Sequence, residues 1–228
     1  MSGQSRRTAP ARSAAAKPAP AARVLKLSRN ERNDIVKRRL FKAAADIVGE
    51  MGYAEASVAR ITARAGVAQG TFYTHFPNRQ DLLDRLLPEL GQDMLAFIKA
   101  RIDTGADARA QEEQRFRAFF DYLAEQPGFL RVLNEAEIFA PEGHRRHIDN
   151  IARNYVSLFR RGRAAGEIGD FTDAELEVVA HIFMGARGYL GQRYAGGGSG
   201  APAHVMSAYS KLVGGLLFRA GGDKRRTT

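Results

Sequence analysis

The chain has 228 residues, 44% apolar and 26% charged, which fits one or two globular domains and excludes a fibrous or low-complexity protein. It has no cysteine, which excludes a disulfide scaffold, a thiolate metal site and a cysteine nucleophile, and points to a reducing, cytoplasmic setting. The net charge of +10 lies at the ends: residues 1–30 carry seven bases and no acid, residues 219–228 four bases and one acid, and residues 31–218 carry 24 of each.

Residues 1–30 are rich in Ala, Pro, Ser and Arg. They hold too little apolar surface to offset the entropy of ordering, and are expected to form a disordered basic arm. No apolar run follows that would make them a secretory signal. From Asn33 to Met51, the apolar residues Val36, Leu40, Ala43, Ala44, Ile47 and Val48 recur at helical spacing, and Gly52 ends the helix. Ser57 is an expected N-cap for a short helix over Val58–Ala65, and Gly66 supplies a tight turn. A second short helix is expected over Gln69–Phe76. Pro77 breaks it, and Asn78 caps a longer helix running toward Ile102, which Pro88 should kink or end.

Asp107 is an expected cap for a helix to Glu125, and Phe129–Phe139 reads as a short apolar one. Pro141 suits the first position of a helix to about Ala165, with Gly166–Asp170 as a loop. Thr172 with Glu175 spells a capping box for a helix to about Tyr194. Residues 195–202 read as a linker, His204–Phe218 as the last helix, and residues 221–228 as a basic tail. No alternating strand pattern appears, so the expected fold is all-α, with about nine helices. No run of residues is apolar enough to span a membrane.

An eight-residue helix, a glycine turn and a second short helix make a helix-turn-helix, stable only when packed on a third helix. In such a unit the second helix enters the major groove of double-stranded DNA. Its expected outer residues Gln69, Thr71, Tyr73, Thr74 and His75 all carry hydrogen-bond donors, Gly70 allows close approach of a DNA backbone, and Phe72 and Phe76 point inward.

The stretch Gly52-Tyr53, Ser57-Val58-Ala59-Arg60-Ile61, Ala65-Gly66-Val67-Ala68-Gln69-Gly70-Thr71-Phe72-Tyr73-Thr74-His75-Phe76-Pro77-Asn78-Arg79 and Leu82-Leu83 resembles the DNA-binding domain of the tetracycline-repressor (TetR) family, over about residues 33–86. The resemblance implies a DNA-binding domain at 31–86 and a helical effector-binding and dimerisation domain at 87–220. It implies phosphate contacts from Tyr73, His75 and Arg79, base or phosphate contacts from Gln69, Thr71 and Thr74, and Ser57 capping its helix near the DNA backbone. Many members have Ser-Lys where this chain has Ala68-Gln69. That removes a cap, worth typically ~1 kcal/mol, and a cation, but offers an amide able to read adenine. The function implied is a bacterial, nucleoid-associated transcriptional regulator, most commonly a repressor, released from a palindromic operator by a small molecule.

Glu175–Tyr194 is apolar on two sides: Leu176, Val179, Phe183 and Leu190 on one, Val178, Ile182 and Tyr189 on the other. One stripe suffices for a monomeric bundle. Gly185, Gly188 and Gly191, with Leu212 and Leu216 of the last helix, are therefore expected at a homodimer interface, as the resemblance also implies. Phe119, Phe120, Leu133, Phe139, Asn154, Tyr155, Phe159, His181 and Met184 are the expected lining of an effector pocket for a lipophilic or aromatic molecule, an acyl thioester among the candidates. The identity of the effector is left open.

Catalytic motifs are missing: there is no G-x-S-x-G, no H-E-x-x-H and no Walker lysine, so no enzyme activity or cofactor is expected. Glu142, His144 and His147 lack a fourth metal ligand, and Arg145 and Arg146 between them repel a cation. The competing reading is an architectural nucleic-acid binder held by its cationic ends, without sequence preference or effector.

Overall fold

The computed structural model describes residues 28–197 and 200–218; the predicted basic arm up to residue 27 and the basic tail lie outside them. Among the described residues the helices are α1 (Arg29–Met51), α2 (Val58–Ala65), α3 (Gln69–Tyr73), α4 (Arg79–Lys99), α5 (Ala108–Glu125), α6 (Phe129–Phe139), α7 (Pro141–Ala164), α8 (Asp173–Tyr194) and α9 (Ala203–Leu216), with 3-10 turns at Tyr53–Glu55 and Ala195–Gly197. The fold is all-α. No described helix is long and apolar enough to cross a membrane.

Three boundaries differ from expectation. The first helix starts four residues before Asn33. Ser28 and Glu31 form a capping box, with the Ser28 amide donating to Glu31 Oε2 at 2.7 Å and the Glu31 amide to Ser28 Oγ at 3.2 Å. The ordered body therefore reaches back into the segment assigned to the arm. Helix α3 ends at Tyr73, and Phe76 is held by a turn in which its amide donates to the Phe72 carbonyl at 3.0 Å. The last helix stops at Leu216, because the chain there turns to pair with the loop after α7: Gly169 donates to the Leu217 carbonyl at 3.1 Å, and Ile168 bridges Phe218.

Pro88 neither ends α4 nor leaves a defect unfilled. Proline lacks the N–H that would bond the carbonyl four residues back, so the Asp84 carbonyl loses its helical partner. Arg146 of α7 supplies the missing donor, its Nη2 standing 2.7 Å from that oxygen. Gly143 lies against the same carbonyl, where a Cβ would collide with backbone. Helix α7 thus crosses α4 where Pro88 leaves an acceptor free.

The first three helices and the start of α4 share a core of Leu40, Ala44, Ile47, Tyr53, Ile61, Phe72, Phe76 and Leu82, all 0–1% exposed. Fully burying a phenylalanine contributes roughly 1.5–3 kcal/mol, so Phe72 and Phe76 together can hold the five-residue α3, which would not persist alone. Helix α4 runs from this unit into the larger half, where it packs on α5, α6 and α7.

Candidate nucleic-acid interface and ligand cavity

Ser57 caps α2, its hydroxyl accepting the Arg60 amide at 3.3 Å. Gly66 takes the left-handed turn at φ +63°, and its carbonyl accepts Arg39 of α1 at 3.3 Å. No side chain caps α3 at Ala68. Gln69, Gly70, Tyr73 and Thr74 are exposed, with Thr71 and His75 half-buried beside them. Tyr73 is 57% exposed, its ring edge-on to Phe72 at 5.3 Å, so a large amphipathic side chain is held out from a rigid base. A Cβ added at Gly70 would meet nothing.

Two expected contacts change character. The Thr74 hydroxyl donates to the Thr71 carbonyl at 2.7 Å, which leaves its oxygen as an acceptor and its methyl for apolar contact. The Arg79 guanidinium turns inward. Its Nε donates to the Ala56 carbonyl at 2.8 Å and its Nη2 to the Tyr53 carbonyl, so it pins the start of α4 to the turn before α2 rather than reaching outward to phosphate.

Helix α6 joins the two halves. Glu135 Oε2 accepts the Tyr53 amide at 2.8 Å, and its Oε1 accepts Arg131 Nε at 2.7 Å. Arg131 in turn donates to the Glu50 carbonyl at the end of α1, at 2.8 Å. The Tyr53 and Phe139 rings stack at 6.0 Å, and Gln80 donates to the Phe139 carbonyl at 2.9 Å. Burial raises the Glu135 pKa, but Arg131 and the Tyr53 N–H outweigh it and hold the carboxyl below its ordinary value.

The opposite face of α6 carries Phe129 and Leu133 into the wall of a cavity of about 600 Å³. Met94, Leu95 and Ile98 of α4, Phe119 of α5, Ile148, Ile151 and Tyr155 of α7 and Met184 of α8 make most of the remaining apolar wall. Buried His147 closes it on the α4 side, against Gly91. Burial, helped by neighbouring His144, holds the His147 pKa down at about 4, so its imidazole is neutral at ordinary pH. Among the described residues no group of three or more His, Asp or Glu is placed to hold a metal ion.

At the far end of the cavity lies a buried ionic cluster that joins three helices. Glu112 of α5 accepts hydrogen bonds from Arg187 of α8 and from the Tyr209 hydroxyl of α9, the latter at 2.6 Å. Tyr209 also stacks on Phe116 with ring centroids 3.7 Å apart. Arg115 approaches the other Glu112 oxygen at 3.9 Å.

Outward from the cavity, α8 exposes Val178, Ile182 and Tyr189, and α9 exposes Leu212 and Leu216, all between 59% and 77%.

Residues 40–86 match the model of the bacterial regulatory proteins of the tetR family. The chain is 27% identical over 143 residues to the Fatty acid metabolism regulator protein of Bacillus subtilis, covering 60% of this chain and 73% of that protein. It is 28% identical over 135 residues to the HTH-type transcriptional repressor KstR of Mycobacterium tuberculosis, covering 58% of this chain and 60% of the repressor's length. A TetR-family regulator from Rhodococcus sp. superposes with a TM-score of 0.70 at 17% identity, over 81% of this chain and 99% of that one, and shares the fold. Residues 40–86 are a DNA-binding domain of the tetR type.

Behind this tetR-type domain, five of the expected pocket residues line the cavity together: Phe119, Leu133, Asn154, Tyr155 and Met184. Four do not. Phe120 is in the core behind the wall, and Phe139 stacks on Tyr53 at the joint between the halves. Phe159 lines a smaller neighbouring cavity, and His181 is exposed on α8. The glycines of α8 also divide. Residues three apart step round a helix by about 300°, so Gly185 and Gly191 face directions roughly 120° apart. Gly185 is exposed, Gly188 lies at the cavity edge, and Gly191 is buried against Leu123 and Phe119, inside the subunit rather than at an interface.

The buried cluster was missed although a signal existed. Glu112 falls in phase with Phe116, Phe119 and Leu123, and Arg187 with Ala180, Phe183 and Gly191. A charge placed on each of two apolar seams marks a buried pair.

Proposed function

We propose that the chain is a dimeric, ligand-responsive transcriptional regulator, acting mainly as a repressor in the cytoplasm and nucleoid. Residues 31–86 read the operator and residues 87–220 bind the effector and the second subunit. The observation that carries this reading is the double use of α6: Phe129 and Leu133 wall the cavity, while Arg131 and Glu135 are hydrogen-bonded to the DNA-reading unit. A molecule filling the cavity in only one state shifts the spacing of the two reading helices through its unequal affinity for the two states. The wall is mostly apolar, and a relative carries the name of fatty acid metabolism regulator. Both support a small lipophilic or aromatic effector, acyl thioesters included. Ser57, Gln69, Gly70, Thr71, Tyr73, Thr74 and His75 form the DNA contact, with Arg79 as its inner brace.

Dimerisation through Val178, Ile182, Gly185, Tyr189, Leu212 and Leu216 places two reading helices on one palindrome. This reading includes no catalytic step. A footprint on the DNA upstream of the chain's own gene tests it. The expected result is a protected two-fold sequence that is lost when an effector binds, with the chain at twice its monomer mass and Ile182→Glu at monomer mass. Equal affinity for unrelated duplexes sinks the proposal.

A further inference from the structure

Resting on that effector reading, we propose that the cavity takes a lipophilic carboxylic acid as its anion, with the chain along the apolar wall and the carboxylate against Arg115, Arg187 and Tyr155. The first argument is a charge count. Arg187 and Glu112 are 7% and 1% exposed, and the side chain of Arg115 is 13% exposed on the same carboxylate. Two guanidinium groups thus share one buried acid, which is also engaged by the Tyr209 hydroxyl. One positive charge is left over beside the cavity. Among the described residues no Asp or Glu lines this cavity, while Lys99 and Arg161 lie at its rim. Lys99 and Arg161 are exposed and solvated, so a monoanion balances the buried surplus.

The second argument is independent of charge. Arg187 Nε and the Tyr155 hydroxyl are buried without a hydrogen-bond partner, and both residues line the cavity. Buried polar groups are nearly always paired, and an arginine N–H can only donate. Burial also keeps the Tyr155 hydroxyl protonated, so it too is a donor. Two unpaired donors on residues of one apolar chamber call for an acceptor on the ligand. A carboxylate brings two oxygens and a charge, which makes such bonds shorter and stronger. A thioester carbonyl or an alcohol would leave the surplus cation uncompensated.

The third observation concerns the way out. A smaller, more polar cavity of about 400 Å³ shares Thr104, Gln111, Arg115, Leu158 and Arg161 with the first. Its acids are Glu112, already paired, and Glu167, whose Oε2 accepts the Ala108 amide at 2.8 Å. Arg115 stands where the apolar chamber meets this vestibule, the place for the head of an amphiphile.

The test uses the full chain and calorimetric titration with straight-chain acids from octanoic to hexadecanoic, each paired with its alcohol and its coenzyme A thioester. The best acid is expected to bind at least about tenfold more tightly than its alcohol, the scale of one charge-assisted contact. Arg115→Met should erase that gap while the alcohol's affinity is unchanged. Tyr155→Phe, which removes an oxygen that has no partner and so leaves the fold alone, should weaken the acid several-fold and spare the alcohol. Equal binding of acid and alcohol, a gap that survives in Arg115→Met, or binding of thioesters alone each overturns the carboxylate proposal and leaves a lipophilic effector standing. If no member of the panel binds, this proposal and the lipophilic effector reading fall together.

Discussion

Replacing Glu135 with alanine should disconnect the cavity from the DNA-reading unit while leaving both intact. The carboxylate makes two of the hydrogen bonds at the joint, to the Tyr53 amide at 2.8 Å and to Arg131 at 2.7 Å. A hydrogen bond to a charged group is worth about 1.5–3 kcal/mol net. The Glu135 and Arg131 side chains are 28% and 42% exposed, and screening reduces the sum to about 1–2 kcal/mol. Coupling between an effector and a second site is typically about 1–3 kcal/mol, or roughly 5- to 150-fold in affinity. The lost bonds are therefore of the same size as the signal. Operator binding of Glu135→Ala, followed by fluorescence anisotropy, should stay within about threefold of the parent without effector, because α3 and the side chains packed on it are untouched. With saturating effector, most of the weakening seen in the parent should disappear. Glu135→Gln, which keeps an acceptor for Tyr53 but loses the charge on Arg131, should fall between the two. An undiminished effector response in Glu135→Ala would refute the argument that α6 carries the signal through this carboxylate.

Three further expectations concern separate parts of the molecule. His147 titrates near 6.5 when unfolded and at about 4 in the fold, so the stability tied to its neutral form is complete above 6.5 and is lost as the pH falls toward 4. The loss amounts to at most about 3 kcal/mol, and His147→Gln should flatten the fall in melting temperature across that window. Gly143→Ala drives a Cβ into the Asp84 backbone and should cost about 1–3 kcal/mol in chemical denaturation. Tyr73→Ala should melt close to the parent, since the ring is largely exposed, yet bind the operator at least about tenfold more weakly. Retained affinity would remove Tyr73 from the DNA contact.

Local chemistry was the legible part of the sequence. Thr172 with Glu175, Asn78 and Asp107 each cap a helix where their side chains predict, because a cap depends on residues only three positions away, and Pro141 opens its helix at the first position, where its missing N–H costs nothing. The exposed side of α3 was legible for a similar reason: the helix is short and its phase is set by the buried Phe72 and Phe76. What depends on distant neighbours was not. Arg79 looks free in sequence, but carbonyls more than twenty residues away claim its guanidinium. His181 lies beside apolar residues along the chain, yet its rotation on α8 takes it away from the cavity. Asn154 does reach the cavity, with its amide donating to the Asn150 carbonyl at 2.9 Å. Gly191 shares a spacing with Gly185 but not a direction. Helical spacing ranks residues by face, and only packing says which face meets what.

The proline in α4 restricts how this protein can move. The Asp84 oxygen has one donor from the adjoining helix, and Gly143 leaves no slack beside it. Sliding α7 along α4 by even one residue would strand that oxygen and force backbone against backbone. Tilting about the same point would keep the bond and the fit. On the function proposed above, the crossing would serve as a pivot: ligand occupancy that alters the larger half would swing α4 like a lever about Asp84, and a small change at its far end would reach the DNA-facing end as an angle rather than as a displacement.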